Sequence, residues 1–177
     1  MAASTTQGHA DAAGIDGESD PVKVARILVL RRLDSAPRTR VELESYLRQR
    51  GVPDEAAVEV LDRFEDVGLI DDAAYAEAWV RSRHGTKGLG RRAVAAELRR
   101  KGVANEIVAA ALEPIDEGQE RERARALARS RLPQVSGLPY PTQMRRLMGA
   151  LTRRGYDMSM SSEVVRQVVA EESAGVE

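Results

Sequence analysis

The stretch RAVAAELRRKGV at residues 92–103 decides the fold of this chain. Val94 and Leu98 are four positions apart, which places both side chains on the same face of a helix. Three basic residues follow, and their charge suits the negative end of the helix dipole. Gly102 then stands where the end of a helix needs a residue with positive φ. The stretch therefore predicts an amphipathic helix that ends at this glycine.

The same landmarks occur twice more, in VELESYLRQRGV at residues 41–52 and in TQMRRLMGALTRRGY at residues 142–156. Each segment has a basic cluster, then a glycine, then an apolar residue. The three glycines, Gly51, Gly102 and Gly155, are 51 and 53 residues apart. Matching landmarks at nearly equal spacing predict three tandem repeats, whereas the alternative is a chance likeness among helices rich in alanine and arginine.

Each repeat predicts three helices, and no convincing strand pattern appears. The predicted helices are 21–34, 38–50 and 54–67 in the first repeat, 72–84, 89–101 and 104–113 in the second, and 117–131, 141–154 and 160–172 in the third. Units of about 50 residues bury little apolar surface alone, so they are expected to stack. The predicted fold is all-α, with three tandem three-helix repeats stacked into an elongated, curved array.

The composition also divides the chain into four segments. The first 19 residues are small, polar and acidic, which predicts a disordered tail. We expect Leu69, Tyr75 and Trp79 to lie at the seams between repeats. The predicted segments are a tail at 1–19, repeat 1 at 20–70, repeat 2 at 71–115, and repeat 3 at 116–177 with a proline-rich loop at 133–141.

Charge and composition narrow the class of protein. The formal net charge is −1, from 27 basic and 28 acidic residues, and cysteine is absent. Apolar runs such as Ile27 to Leu30 are far shorter than the ~20 residues of a membrane-spanning helix. The N-terminus lacks the basic and apolar regions of a signal peptide. We therefore expect a cytoplasmic protein without a disulfide framework, a thiolate metal site or a membrane partner.

The basic residues are concentrated, although the net charge is small. Eight of them lie between Arg81 and Lys101, with only Glu97 as an acid among them. Such a run attracts phosphate or an acidic protein surface, although each cluster alone could be a solvated helix face. The candidate contact residues are Arg81, Arg83, Lys87, Arg91, Arg92, Arg99, Arg100 and Lys101 in repeat 2, Arg48 and Arg50 in repeat 1, and Arg145, Arg146, Arg153 and Arg154 in repeat 3.

The sequence has no pattern typical of catalysis. The two histidines, His9 and His84, have no metal-ligand spacing. The glycine-rich segment HGTKGLG at residues 84–90 follows a predicted helix and lacks the phosphate-loop pattern, so it predicts a flexible link between helices. We therefore expect no catalytic residue, no metal and no cofactor. An enzyme such as a nuclease would need clustered carboxylates, which have no recognisable placement here.

Two stretches, DDAAYAEAWVRSR at 71–83 and GRRAVAAELRRKGV at 90–103, resemble the core signature of the RecX family. The resemblance covers roughly residues 21–172 and is strongest in the second repeat. Tyr75 stands where phenylalanine is common in the family. The matching residues are Asp71, Asp72, Tyr75, Ala76, Arg83, Leu98, Lys101, Gly102 and Val103.

The resemblance implies a function as well as a fold. RecX-like proteins are stacks of three-helix repeats that bind the RecA filament on single-stranded DNA. They inhibit its ATPase, strand exchange and extension, and they have no catalytic residues. By this likeness we expect a negative regulator of RecA whose basic residues contact DNA, RecA or both. We also expect the protein to be a monomer. The alternative is a direct DNA-binding regulator that uses its repeats as helix-turn-helix-like units.

Overall fold

The protein is built from α-helices. The computed structural model describes residues 20–174, and this part of the chain contains no strand. A π-helical turn at Arg81–Thr86 follows α4, and a 3-10 turn at Leu132–Gln134 follows α7. The α-helices are α1 Pro21–Ser35, α2 Arg40–Gln49, α3 Asp54–Asp66, α4 Asp72–Val80, α5 Arg91–Arg100, α6 Asn105–Leu112, α7 Glu117–Arg131, α8 Tyr140–Arg153 and α9 Met158–Ala174.

Polar side chains define where several of these helices begin. The Thr39 hydroxyl accepts a bond from the Glu42 amide, and the Glu42 carboxylate accepts one from the Thr39 amide, which makes a capping box. Asp71 and Asp116 cap α4 and α7 by accepting bonds from backbone amides three residues later, both at 2.8 Å. These bonds satisfy amides that have no partner within the helix.

Each repeat has its own apolar core. The cores are separate clusters, and burial of one leucine or valine in them contributes about 1.5–3 kcal/mol. The predicted all-α fold of three three-helix repeats is confirmed. The fully buried side chains include Leu43, Leu47 and Leu61 in repeat 1, Val94, Leu98 and Val108 in repeat 2, and Leu147, Leu151 and Val164 in repeat 3.

The structure differs from the sequence prediction in two elements. The helix predicted at 72–84 ends as an α-helix at Val80 and continues as the π-helical turn. The loop predicted at 133–141 is shorter, because prolines occupy the first turn of both the 3-10 turn and α8. Proline fixes φ near the helical value and needs no amide partner at that position, so it starts a helix readily. The predicted tail, 1–19, lies outside the described residues.

The repeats meet through the ends of their middle helices, α2, α5 and α8. At the first seam, between repeats 1 and 2, the Thr39 hydroxyl donates to the Lys101 carbonyl at 2.6 Å. The Arg40 amide donates to the Asp72 carboxylate at 3.0 Å, and Lys101 Nζ lies 2.7 Å from the Glu42 carboxylate. The C-terminal end of α5 therefore docks on the N-terminal end of α2.

The second seam, between repeats 2 and 3, has the same plan. The Gly90 amide donates to the Arg154 carbonyl at 2.8 Å, as Thr39 does to Lys101 in the first seam. The Arg91 amide donates to Glu120 at 2.8 Å, and Arg92 pairs with Asp157 at 3.2 Å. The middle helices are thus joined head to tail by hydrogen bonds and ion pairs at their ends.

The start of α8 is built differently from the starts of α2 and α5. Its cap residue is Pro139, and a second proline, Pro141, lies in its first turn. The Gln143 side-chain amide donates to the carbonyls of Ser136 and Leu138, at 3.0 and 2.7 Å. The preceding loop is therefore tied to the first turns of α8. Among the described helices, none combines the length and apolar composition that crossing a membrane requires.

Candidate functional site

Basic side chains recur at the C-terminal ends of the three middle helices. The C-terminal end of one middle helix touches the N-terminal end of the middle helix before it. Successive basic clusters are therefore separated by about 15 Å, the length of one ten-residue helix. The clusters contain Arg48 and Arg50 at the end of α2, Arg99, Arg100 and Lys101 at the end of α5, and Arg153 and Arg154 at the end of α8.

Several predicted contact residues are engaged inside the protein. The Arg83 guanidinium lies 4.1 Å from the centre of the Trp79 ring, and its Nε is 3.0 Å from the Glu97 carboxylate. The Arg91 guanidinium donates to a backbone carbonyl at 3.2 Å. The remaining pairs with acids are Arg48 with Glu44 and Asp54, Arg81 with Glu77, Arg92 with Asp157, and Lys101 with Glu42.

The other predicted contact residues keep their charge uncompensated. Within residues 20–174 none of them has a carboxylate oxygen within 4.0 Å. The Arg99 Nε donates to the Asn105 side chain at 2.9 Å, and the Arg154 guanidinium donates to the Lys87 carbonyl at 2.8 Å; neither bond neutralises the charge. These residues are Arg50, Lys87, Arg99, Arg100, Arg145, Arg146, Arg153 and Arg154.

Arg92, Arg99 and Arg100 project away from the core, as the helix period predicts. All three are exposed, whereas Val94 and Leu98 on the same helix are fully buried. The exposed face of α5 therefore carries three guanidinium groups, of which only that of Arg92 is paired with an acid in the described residues. Such a face suits a phosphate chain or an acidic protein surface.

A cleft in repeat 3 collects unpaired arginines from two helices. We call it the basic cleft, and it is lined by Arg131, Arg145, Arg146 and Arg153 with an open volume of about 390 Å³. No acid lines it. Arg154 joins Arg131 and Arg153 in a neighbouring depression. Converging guanidinium groups without a carboxylate are a favourable site for phosphate oxygens.

Sequence reasoning missed Arg131, which lies at the end of α7 and far from the repeat landmarks. A second charge pattern would have found it. From Arg123 to Tyr156 the chain has eight arginines and no acidic residue, a cleaner run than the one in repeat 2. The proline-rich loop divides this run between α7 and α8, so its full length is not evident from either helix alone.

Lys101 is partly enclosed, with 22% of its side chain exposed. Its Nζ lies 4.6 Å from the centre of the Trp79 ring and 5.5 Å from that of Tyr75. Burial lowers the pKa of Lys101, but the bond to Glu42 and the contact with Tyr75 outweigh it, so the pKa is raised. Burial alone would raise the pKa of Glu42, but the hydrogen bonds that its carboxylate accepts from Lys101 and Thr39 outweigh burial, so the pKa is lowered. This pair is a structural element of the first seam.

The segment HGTKGLG was predicted to be a flexible link, and the structure corrects this. Repeat 3 binds three of its carbonyls, because Arg123 donates to His84 at 2.6 Å, Arg154 to Lys87 at 2.8 Å and the Tyr156 hydroxyl to Gly88 at 3.1 Å. His84 is buried, and its Nδ1 lies 2.8 Å from the Leu89 carbonyl. The segment is a structural part of the second seam. In residues 20–174 no three His, Cys, Asp or Glu side chains are grouped for a metal ion.

Comparison with known protein families gives three matches. Residues 25–64 match the model of the first RecX three-helix domain. Residues 71–112 match that of the second, and residues 119–168 match that of the third. Each match falls within one of the three repeats.

Individual relatives agree with these matches. The Regulatory protein RecX of Streptomyces coelicolor is 49% identical over 158 residues, which cover 89% of this chain and 84% of the relative. The Regulatory protein RecX of Thermobifida fusca is 50% identical over 153 residues, which cover 86% and 82%. The crystal structure of RecX from Lactobacillus salivarius superposes with a TM-score of 0.78 at 23% identity, covering 85% of this chain and 97% of that one, which supports the fold.

Proposed function

The chain belongs to the RecX family of regulatory proteins, and from that premise we propose that it is a negative regulator of the RecA recombinase. It binds the RecA filament on single-stranded DNA and inhibits the ATPase, strand exchange and filament extension. It acts by occupying the filament and not by catalysis. We further propose that it works in the cytoplasm as a monomer, in DNA repair by homologous recombination and in the SOS response.

One observation supports this proposal most strongly: the uncompensated arginines recur from repeat to repeat. A nucleoprotein filament is a periodic polyanion, and a row of guanidinium groups on a repeat array can contact several phosphates at once. The exposed face of α5 presents the unpaired Arg99 and Arg100, and the basic cleft presents four arginines with no acid among its described lining residues. Many weak charge contacts along one partner add up to stable binding.

The second candidate is a direct DNA-binding regulator. The observation that favours it is the tight glycine turn between the second and third helix of each repeat, as in a helix-turn-helix unit. The helices after these turns argue against sequence-specific reading. The exposed face of α3 carries acids, and the Asn105 side chain on α6 is bound to Arg99. Base reading needs free polar side chains on such a helix.

The test is the single-stranded-DNA-dependent ATPase of RecA, titrated with substoichiometric amounts of this protein. We expect inhibition by the wild type and weakened inhibition by the triple variant Arg92→Ala, Arg99→Ala and Arg100→Ala. A matched control replaces three exposed arginines on α1, α3 and α9. The control residues are Arg26, Arg63 and Arg166.

The outcomes separate the two candidates. Inhibition that the triple variant loses and the control variant keeps supports filament regulation through α5. Absence of inhibition, together with tight binding of the wild type to naked duplex DNA, would contradict the proposal and favour the direct DNA-binding regulator. If both triple variants inhibit as strongly as the wild type, the arginines of α5 do not belong to the contact surface.

A further inference from the structure

An open apolar groove lies at the first seam, between the end of α1 and the outer face of α4. We call it the junction groove, and its open volume is about 600 Å³. That volume accommodates a large apolar side chain and part of its backbone. Leu69 projects into it from the loop before α4 and is 51% exposed. The apolar lining residues are Leu33, Ala36, Pro37, Leu69, Ala74, Tyr75, Ala78 and Trp79.

The rim of the junction groove is positively charged. Arg38 and Lys101 line both the groove and a polar depression beside it, to which Arg32 and Arg100 also contribute. Across the two hollows these four cations face two acids, Glu42 and Asp71. The lining of the two hollows therefore carries two more positive charges than negative charges.

Arg38 has unused binding capacity at this rim. Its Nε is buried and has no hydrogen-bond partner among the described residues, and no carboxylate oxygen of that part of the chain lies within 4.0 Å of its guanidinium. An incoming carboxylate would give the Arg38 guanidinium the charged partner that the described residues do not provide. Acidic groups beside an apolar anchor would satisfy both parts of the site.

The aromatic pair in the junction groove does not favour a stacked nucleobase. The Tyr75 ring stacks on Trp79 with a centroid distance of 5.7 Å. Arg83 and Lys101 lie over the same Trp79 ring, at 4.1 and 4.6 Å. A base would have to displace one of these neighbours to stack, whereas an aliphatic side chain can pack against the ring edges and the alanines of α4.

We propose that the junction groove binds an acidic segment of a recombinase subunit in the filament, with one large apolar side chain in the groove and a carboxylate at Arg38. This inference rests on the proposed function and divides the contacts in two. The junction groove contacts protein, and the uncompensated arginines of α5 and the basic cleft contact DNA. The two surfaces are therefore separable by mutation.

The first experiment compares binding to RecA filaments with binding to a naked single-stranded oligonucleotide. Leu69→Asp places a charge in the groove without opening a core, because Leu69 is half exposed. We expect about tenfold weaker binding to the filament, the effect of losing one interface anchor, and naked-DNA binding within about twofold of wild type. Val58→Asp is the matched control, since Val58 is a similarly exposed valine of repeat 1 outside the groove.

A second experiment locates the contact without weakening it. The chain contains no cysteine, so Ser82→Cys introduces a single thiol at the junction groove, and Ala170→Cys introduces one on the exposed face of α9. Excess filament should slow alkylation of the thiol at position 82 about tenfold or more and leave position 170 unchanged, because only the first is covered. The naked oligonucleotide should protect neither.

The results separate this inference from the function on which it rests. If the wild type binds filaments and Leu69→Asp binds equally well with position 82 unprotected, the groove assignment is wrong and the proposed function stands. If Leu69→Asp weakens naked-DNA binding as strongly as filament binding, the groove is a DNA site and the inference is overturned. If the wild type itself does not bind filaments, both the proposed function and this inference fail.

Discussion

Gly102, at the end of α5, lies directly against Val41, in the first turn of α2. A Cβ atom at position 102 would lie 2.6 Å from Val41 Cγ1, and closer still to Val41 Cβ. Gly155 bears the same relation to Ala93 at the second seam, where an added Cβ would lie 2.8 Å from Ala93 Cα. The repeats approach so closely only because the residue at each of these contacts is a glycine, which has no side chain.

Alanine at these glycines should therefore weaken the seams. Gly51, Gly102 and Gly155 all have positive φ, but no atom of the described residues lies within 4 Å of a Cβ at Gly51. We expect Gly51→Ala to lower the free energy of unfolding by about 1 kcal/mol, from backbone strain alone. Gly102→Ala and Gly155→Ala should lose about 1–3 kcal/mol more, from the collision. Urea unfolding measures the difference, and equal losses at all three positions would contradict close docking.

The ion pair between Glu42 and Lys101 makes the first seam dependent on pH. Glu42 has a lowered pKa, so its contribution is complete above the ordinary glutamate pKa of 4.5 and is lost as the pH falls through the lower folded value. Lys101 has a raised pKa, so its contribution is complete below 10.5 and is lost as the pH rises past the folded value. The pair therefore stabilises the seam across the neutral range.

Glu42→Gln should abolish the part of this pH dependence that lies below neutral pH. At pH 7 we expect the variant to be less stable by about 1–2 kcal/mol, because Lys101 loses a charged partner. The difference from wild type should shrink as the pH falls below the pKa of Glu42, because the protonated Glu42 is then as uncharged as the glutamine that replaces it. Urea unfolding at several pH values between 7 and 3 provides the test. A difference that stays constant over that range would show that the charge of Glu42 contributes nothing.

The basic cleft should dominate the salt dependence of binding to single-stranded DNA. Each phosphate contact contributes about 0.7 to the slope of log affinity against log salt, so Arg145→Ala with Arg146→Ala should lower the slope by about 1.4. The control is Arg121→Ala with Arg129→Ala, which changes the net charge equally but removes arginines already paired with Glu163 and Glu171. Fluorescence anisotropy at several salt concentrations gives both slopes. Equal slopes for the two variants would mean that net charge, and not the cleft, sets the affinity.

The hydroxyl of Tyr156 should hold the glycine-rich segment at the second seam. Tyr156→Phe removes only its bond to the Gly88 carbonyl, which contributes about 1 kcal/mol. Local opening should therefore become about fivefold more frequent, and amide hydrogen exchange at residues 87–90 should accelerate by that factor. Tyr140→Phe is the control, since Tyr140 is exposed. Unchanged exchange in Tyr156→Phe would show that the other seam bonds suffice.

The positions of the helices could be predicted from the sequence because they depend on local signals. Apolar residues four apart, such as Val94 and Leu98, and glycines after basic clusters define each middle helix without any tertiary information. The π-helical turn was missed for a physical reason. Arg123 binds the His84 carbonyl within the turn and Arg154 binds the Lys87 carbonyl just after it, and these arginines lie 39 and 67 residues away from their acceptors.

The candidate site could be predicted only in part. The sequence locates basic residues, but it does not reveal which of them meet an acid in three dimensions. Arg92 has its partner in the next repeat, at Asp157, and Lys101 has its partner in the preceding one, at Glu42. The clustering of Arg131 with Arg145 likewise requires the packing of α7 against α8.

The start of α8 lacks the features with which the starts of α2 and α5 hold the end of another middle helix. A seam made from one helix end and one helix start can be repeated along an array, and within residues 20–174 no atom lies within 4 Å of a Cβ added at Gly51, at the end of α2. The matching start on α8 is blocked by the loop that Gln143 holds and by two prolines that lack an amide hydrogen. The start of α8 therefore cannot receive the end of α2 from a second molecule in the way that the seams within the protein are made. The series of seams stops at α8.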